Sequence, residues 1–392
     1  MKKTIKDFDL NNKKVIIRVD FNVPMKDGII ADDTRIVESL KTINYALDNG
    51  AVVILLSHLG RIKEESDKEK NTLASVAVRL SELLNKEVLF IPELDKLTIK
   101  EKINSLTSGQ VCLLENTRFY DLDGKLESEN SEKLASMYAS LGDIFINDAF
   151  GTIHRGHASN AGIASILPSG IGFLVEKELK ELEYLDNPLR PYTVILGGSK
   201  VSDKIKVIEN LITKCDSLVI GGAMAFTFLK AKGLNIGKSL VEDDYLEFCL
   251  NIMNKYGDKI VLPVDVKVSQ DINEEFTNKK IEDLSNNDIG LDLGYDTIVL
   301  IEKELTNSKT VFWNGPLGYY ELESYQDATK KILNYLIDND IKTILGGGDI
   351  VAAASKLGLK DKVYHVSTGG GATLEYLEGK KLPGLEIINE KE

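Results

Sequence analysis

Four arginines, Arg35, Arg61, Arg118 and Arg155, stand at or just after the ends of apolar runs, or early in the helical patterns that follow. Three of the four histidines, His58, His154 and His157, share those loops. Guanidinium forks grip phosphate and carboxylate bidentately. Scattered surface arginines would instead spread over helix faces, so this half of the chain reads as a cradle for a small anion. It shows no Ser–His–Asp ordering and no metal-ligand histidine spacing.

The other half ends its apolar runs in glycine: Val194–Leu196 at Gly197–Gly198, Leu218–Ile220 at Gly221–Gly222, and Thr343–Leu345 at Gly346–Gly348. Bare amides at helix starts suit phosphates. After Gly197–Gly198 come Lys200 and Lys204, four residues apart on one helix face. Cations at a helix start oppose the macrodipole, which makes sense if a polyanion sits between them. Asp349 follows Gly348, either as an N-cap or as a carboxylate that holds Mg²⁺ beside the phosphates. Ser367–Thr373 offers a third nest, and Trp313–Gly318 is a tight turn after the run Thr310–Phe312. Two nucleotide signatures nearly appear and fail. Gly233–Ser239 is one residue short of a P-loop and follows a helix, and Val351 stands where a dinucleotide fingerprint needs its third glycine.

The elements that position these residues follow from hydrophobic period. Short β-rich runs alternate with helical patterns almost from end to end, the signature of parallel sheets with crossover helices. Examples of the helices are Asp33–Leu47, Leu73–Leu84, Ser131–Ala139, Lys204–Ile212 and Ala328–Ile337. In such sheets ligands lie beyond the carboxyl ends of the strands. At 392 residues, two α/β domains are the natural expectation. Leu167–Gly170 breaks the pattern, Val175–Leu185 reads as an amphipathic connector helix, and Asn187–Pro191 ends it. The segment from Gln270 to Asn287 reads as a polar surface excursion.

A net charge of −13 argues against a nucleic-acid partner, which would need a basic face. The three distant cysteines fit a reducing cytosol. The start has no apolar run behind its lysines and no stretch reads as a membrane span, so the expected location is cytoplasmic. Two different anions on one chain suggest a group-transfer enzyme. A nicotinamide-dependent dehydrogenase and a non-enzymatic binding module stay open on the residues alone, although the first lacks a complete glycine fingerprint.

Longer motifs narrow the choice. Arg18–Pro24, Ser57–Arg61, Leu114–Phe119, Asn147–Thr152 with His154–Arg155, Gly197–Lys204, Trp313–Gly318, Gly346–Asp349 and His365–Gly371 together resemble the phosphoglycerate kinase family, in the family's order and over essentially the whole chain. The resemblance implies two Rossmann-like domains, each a parallel sheet flanked by helices, joined by a helical hinge. Their expected extents are 1–170 for 3-phosphoglycerate, with 376–392 returning to it, 171–187 for the hinge, and 188–375 for the nucleotide. It implies glycolytic transfer of a phosphoryl group between 1,3-bisphosphoglycerate and ADP, in line and on domain closure, by a cytoplasmic, Mg²⁺-dependent monomer. Asp20, Phe21, Asn22, Arg35, His58, Leu59, Gly60, Arg61, Arg118 and Arg155 match the family's 3-phosphoglycerate positions. Gly198, Lys200, Lys204, Gly221, Gly290, Asn314, Glu321, Gly347, Gly348, Asp349 and Ile350 match its nucleotide positions, with Asp349 at the metal. Arg35, Lys200, Gly348 and Gly371 match the groups around the transferring phosphoryl. The chain departs from the family at Ile350, usually Thr or Ser, at Tyr295, commonly Pro, and at Ala328, frequently Gly. A hydroxyl at position 350 is expected to sit near the nucleotide phosphates.

Overall fold

The computed structural model describes residues 1–272 and 275–391. The chain forms two compact units, Met1–Lys180 with the segment from Lys381 onward, and Glu181–Lys380. The architecture is α/β, with each unit built on a six-stranded parallel sheet.

In the first unit the strands run in the order Val88–Ile91, Val111–Leu114, Val52–Leu56, Lys14–Arg18, Ile144–Asn147 and Ser169–Ile171. Every residue of Val52–Leu56 is buried. Helices cover both faces of such a sheet, so its strands read as continuous apolar runs without alternation. The helix Thr34–Asp48 shows how: Ile36, Ile43, Ala46 and Leu47 recur at helical spacing and join a core with Ile17 and Val53. Leu167–Gly170, which breaks the helical pattern in sequence, carries the last edge strand, Ser169–Ile171. The chain terminus closes this unit. Gly384 N–H donates to Ile153 O at 2.8 Å, and Lys3 N–H donates to Asn389 O at 2.8 Å.

In the second unit the order is Ile260–Val261, Ser217–Ile220, Tyr192–Leu196, Thr310–Asn314, Lys342–Leu345 and His365–Val366. Strand order reverses between Tyr192–Leu196 and Thr310–Asn314, and the crevice beyond such a reversal is where open α/β sheets bind ligands. The polar stretch from Gln270 to Asn287 is not simply a loop. It contains the strand Thr277–Lys280, which pairs antiparallel with Asp265–Val268, while Ile289–Leu293 pairs on the other side. The strand Thr277–Lys280 is mostly exposed and has no apolar face, so no period marked it in sequence. Asn273 and Glu274 of this stretch lie outside the described residues.

The helix Phe173–Tyr184 begins two residues before the expected connector and carries the boundary between the units. No helix among the described residues is long and apolar enough to cross a membrane.

Candidate active site

The first unit gathers its cations behind four strand ends. Asp20–Phe21–Asn22 follow Lys14–Arg18. Phe21 is buried and its N–H donates to Ser57 Oγ at 2.8 Å, while Asn22 Oδ1 accepts from Gly60 N–H at 2.8 Å. The loop after Val52–Leu56 carries His58, Leu59, Gly60 and Arg61. Asn116 holds it through Leu59 O, and Arg118 Nη1 donates to Gly60 O at 2.6 Å. Arg35, from the first turn of its helix, pairs with Asp20 at 2.5 Å. Arg61 and Arg155 are exposed, and Arg155 Nε donates to His154 Nε2 at 3.3 Å.

Beneath these residues lies a buried layer that the sequence did not single out. Arg18 is fully buried and donates to Ser159 Oγ at 2.8 Å and to Val19 O. Its Nη2 lies 3.2 Å from His58 Nδ1. A guanidinium can only donate, so Nδ1 is the acceptor and the His58 proton sits on Nε2. Glu127, also fully buried, accepts from Ser159 N–H and Oγ, and supplies the carboxylate that opposes Arg18's desolvation. A charged residue ending an otherwise apolar strand was the available signal for Arg18; Glu127 had none.

The electrostatics of this layer point outward. Burial, then Arg18 and Arg118, hold the His58 imidazole well below its usual range. The same causes, with Arg155, press His157 down to about 3. Arg118 is itself lowered by burial and by Arg155 and Arg18. Neutral imidazoles among mutually repelling guanidiniums make a site that an anion would relax.

In the second unit three loops knit together at the strand-order reversal. Gly197 N–H donates to Asn314 O at 2.8 Å, Gly198 N–H to Pro316 O at 2.9 Å, and Met224 N–H to Gly198 O at 3.0 Å. Gly222, with φ +62°, has no room for a side chain, because a Cβ would lie 2.5 Å from Gly198 O. A cavity of about 420 Å³ opens here, lined by Gly198, Gly222, Phe226, Gly290 and Glu321 among others, with Asp349 at its margin. Gly221 does not line it; its Cα faces Leu317.

Lys200 is exposed. Lys204 is half-buried, and its ammonium is lowered by burial while Asp349 and Asp203 pull the other way. Its Nζ donates to Asn314 Oδ1, and Asn314 Nδ2 donates to Gly346 O. Asn314 thus couples the lysine to the glycine turn, a positioning role beyond the nucleotide contact expected of it. Gly347, at φ +104°, caps the helix Gly348–Lys356, whose first amides have no intrahelical acceptor. Gly371 opens the helix Gly371–Leu377 in the same way.

Ile350 differs from expectation. Its side chain is fully buried in the core with Leu345 and Ala354, so only its backbone amide is offered to a phosphate. The third position of the helix turns its side chain inward, toward Leu345 and Ala354. Of the other departures, Tyr295 is exposed at a helix start, and Ala328 is buried with its N–H donating to Asp292 Oδ2 at 3.3 Å.

Two phosphate-suited nests and an arginine cradle on one chain fit a phosphotransferase, and similarity to known proteins decides which. Residues 5–380 match the phosphoglycerate kinase family. The chain belongs to the phosphoglycerate kinase family. It is 54% identical to the phosphoglycerate kinase of Fusobacterium nucleatum, with 100% of both chains covered, and 53% identical to that of Listeria monocytogenes, again over 100% of both. Among solved structures it resembles phosphoglycerate kinase from Coxiella burnetii, with a TM-score of 0.89, 40% identity, and 99% and 98% of the two chains covered. The enzyme from Pyrococcus horikoshii gives a TM-score of 0.85 at 33% identity, with the same coverage. The protein is therefore a glycolytic kinase that transfers a phosphoryl group reversibly between 1,3-bisphosphoglycerate and ADP, and the dehydrogenase reading falls away.

Proposed function

We propose that the first unit binds 3-phosphoglycerate and the second binds the nucleotide, and that transfer occurs in line when the two units close. The observation that carries this division is the cluster of Arg18, Arg118 and Arg155 around two neutral histidines, all within the first unit. It is a site for a small ligand with two anionic groups. The glycine turns and the cavity belong wholly to the second unit and suit a base, a ribose and phosphates.

In this reading Arg61, Arg118 and Arg155 grip the phosphate of 3-phosphoglycerate, which does not react. His58 donates its Nε2–H to the substrate, and Asp20 and Asn22 orient the carboxylate end. The acceptor carboxylate is already ionised, so no general base is needed; catalysis rests on alignment and charge compensation. Arg35 and Lys200 neutralise the transferring group, and the helix-start amides at Gly348 and Gly371 receive its oxygens. Closure excludes water that would hydrolyse the acyl phosphate.

Asp349 fits Mg²⁺: it is a single exposed carboxylate at a phosphate-suited helix start, and Mg²⁺ takes one or two carboxylates and completes its shell with phosphates and water. When bound, the ion would screen the charge of the nucleotide phosphates. Three buried free cysteines accord with a reducing, cytoplasmic setting, and a chain carrying both sites can work as a monomer.

Solution scattering tests the closure. The ternary complex should be more compact than either binary complex, and equal compaction with ATP alone would count against it. Kinetics test the division: Arg118→Ala should raise the KM for 3-phosphoglycerate and leave that for ATP unchanged, and the opposite pattern would reverse the assignment.

A further inference from the structure

Lys267 has no part in the chemistry above, yet it is among the costliest side chains in the protein to bury. It lies in Asp265–Ser269, the middle strand of the antiparallel sheet, fully buried and outside the cavity lining. Taking an ammonium out of water costs several kcal/mol, and an apolar side chain would fill the space without that cost. Its partners account for the charge. Nζ donates to Asp327 Oδ2 at 2.6 Å and to Ser324 O at 3.1 Å. It also lies 3.8 Å from Asp292 Oδ2 and 4.4 Å from the centre of the Phe276 ring.

Those partners belong to two walls of the nucleotide-suited cavity. One wall is Ile289–Leu293, and Asp292 in it is the cross-strand neighbour of Lys267. The other is Pro316–Glu321, whose continuation through Ser324 and Asp327 starts the helix Asp327–Asp338. The walls also touch each other. Tyr319 N–H donates to Leu291 O at 2.7 Å, and Gly318 packs so closely that a Cβ would lie 2.2 Å from Asp292 Oδ1. Lys267 therefore grips both walls from behind, one through Asp292 and one through Ser324 and Asp327.

We propose that Lys267 is a positioning residue for the nucleotide: its bridge between Asp292 and Asp327 fixes the spacing of the cavity walls and so sets nucleotide affinity without contacting the nucleotide. This rests on the reading of the cavity as the nucleotide site. A ligand-touching wall holds its geometry only as well as the groups behind it.

Two variants test it, Lys267→Met, which keeps the length of the stem, and Asp327→Ala, which removes the acceptor at the half-exposed end of the bridge and leaves the core intact. Each should raise the KM for ATP and the Kd for ADP by about 2- to 30-fold. Saturated turnover and the KM for 3-phosphoglycerate should stay unchanged, and the double variant should lose no more than the worse single one. ADP affinity unchanged in Asp327→Ala would overturn the proposal. So would a joint loss of affinity for both substrates together with thermal stability, which marks a merely structural lysine. A crystal structure of the unmodified protein with ADP separates this inference from its foundation. Nucleotide in the cavity with unaffected variants refutes the role of Lys267 alone, whereas nucleotide elsewhere removes the cavity reading and the inference together.

Discussion

Replacing Ile350 with Thr should destabilise the second unit and leave nucleotide affinity unimproved. The residue occupies the third position of the helix Gly348–Lys356 and is fully buried in a core with Leu345 and Ala354. The change removes the terminal methyl and replaces a methylene with oxygen. Two buried carbon groups at about 0.8 kcal/mol each account for about 1.6 kcal/mol. A buried hydroxyl adds about 1–3 kcal/mol, reduced if it bonds back to a carbonyl of the preceding turn. The sum is about 2.5–4.5 kcal/mol, which for a unit of this size lowers the thermal midpoint by roughly 5–18 °C. Calorimetric scanning reads the unfolding of the second unit, and titration calorimetry reads ADP. Because the backbone amide at position 350 is the same in both residues, ADP affinity should be unchanged or lower. An unchanged midpoint together with tighter ADP binding would show that the side chain faces the phosphates and that the burial argument fails.

Lys200→Ala should lower turnover by orders of magnitude while leaving ADP and 3-phosphoglycerate binding within a few-fold, because an exposed cation poised for the transferring group acts chiefly in the transition state; unaltered turnover would remove Lys200 from the mechanism. His157, held neutral with a pKa of about 3 against an unfolded value of about 6.5, makes the unfolded chain the stronger proton binder below neutrality. Stability from this residue is therefore full above about pH 6.5 and falls by about 2 kcal/mol by pH 5. Urea unfolding at pH 7.5 and pH 5 should show a shallower pH dependence for His157→Gln than for the unmodified protein, and equal slopes would place His157 in solvent.

Much of the fold was legible because parallel strands buried on both faces leave apolar runs that end abruptly, as at Val52–Leu56 and Tyr192–Leu196. The candidate site was legible where chemistry coincided with those ends: the arginines in one half, the glycines in the other. What could not be read was three-dimensional. Thr277–Lys280 carries no hydrophobic period because it is a mostly exposed strand, visible only through its pairing with Asp265–Val268. The buried layer of Arg18, Glu127 and Ser159 joins residues 141 positions apart in its longest link, and nothing in the local sequence of Glu127 sets it apart from a surface acid. Ile350 is a related case: its position in a phosphate-suited turn tells where its amide points, not where its side chain goes.

The division of labour between the units can be tested in one measurement, hydrogen exchange of the backbone amides with each ligand alone. The account predicts that 3-phosphoglycerate slows exchange around Phe21, Gly60 and Arg118 and leaves the second unit unchanged. Mg²⁺-ADP should slow exchange around Gly198, Gly290 and Gly348–Ile350 and leave the first unit's arginine loops unchanged. Protection of the glycine turns by 3-phosphoglycerate alone, or of the arginine loops by Mg²⁺-ADP alone, would contradict it.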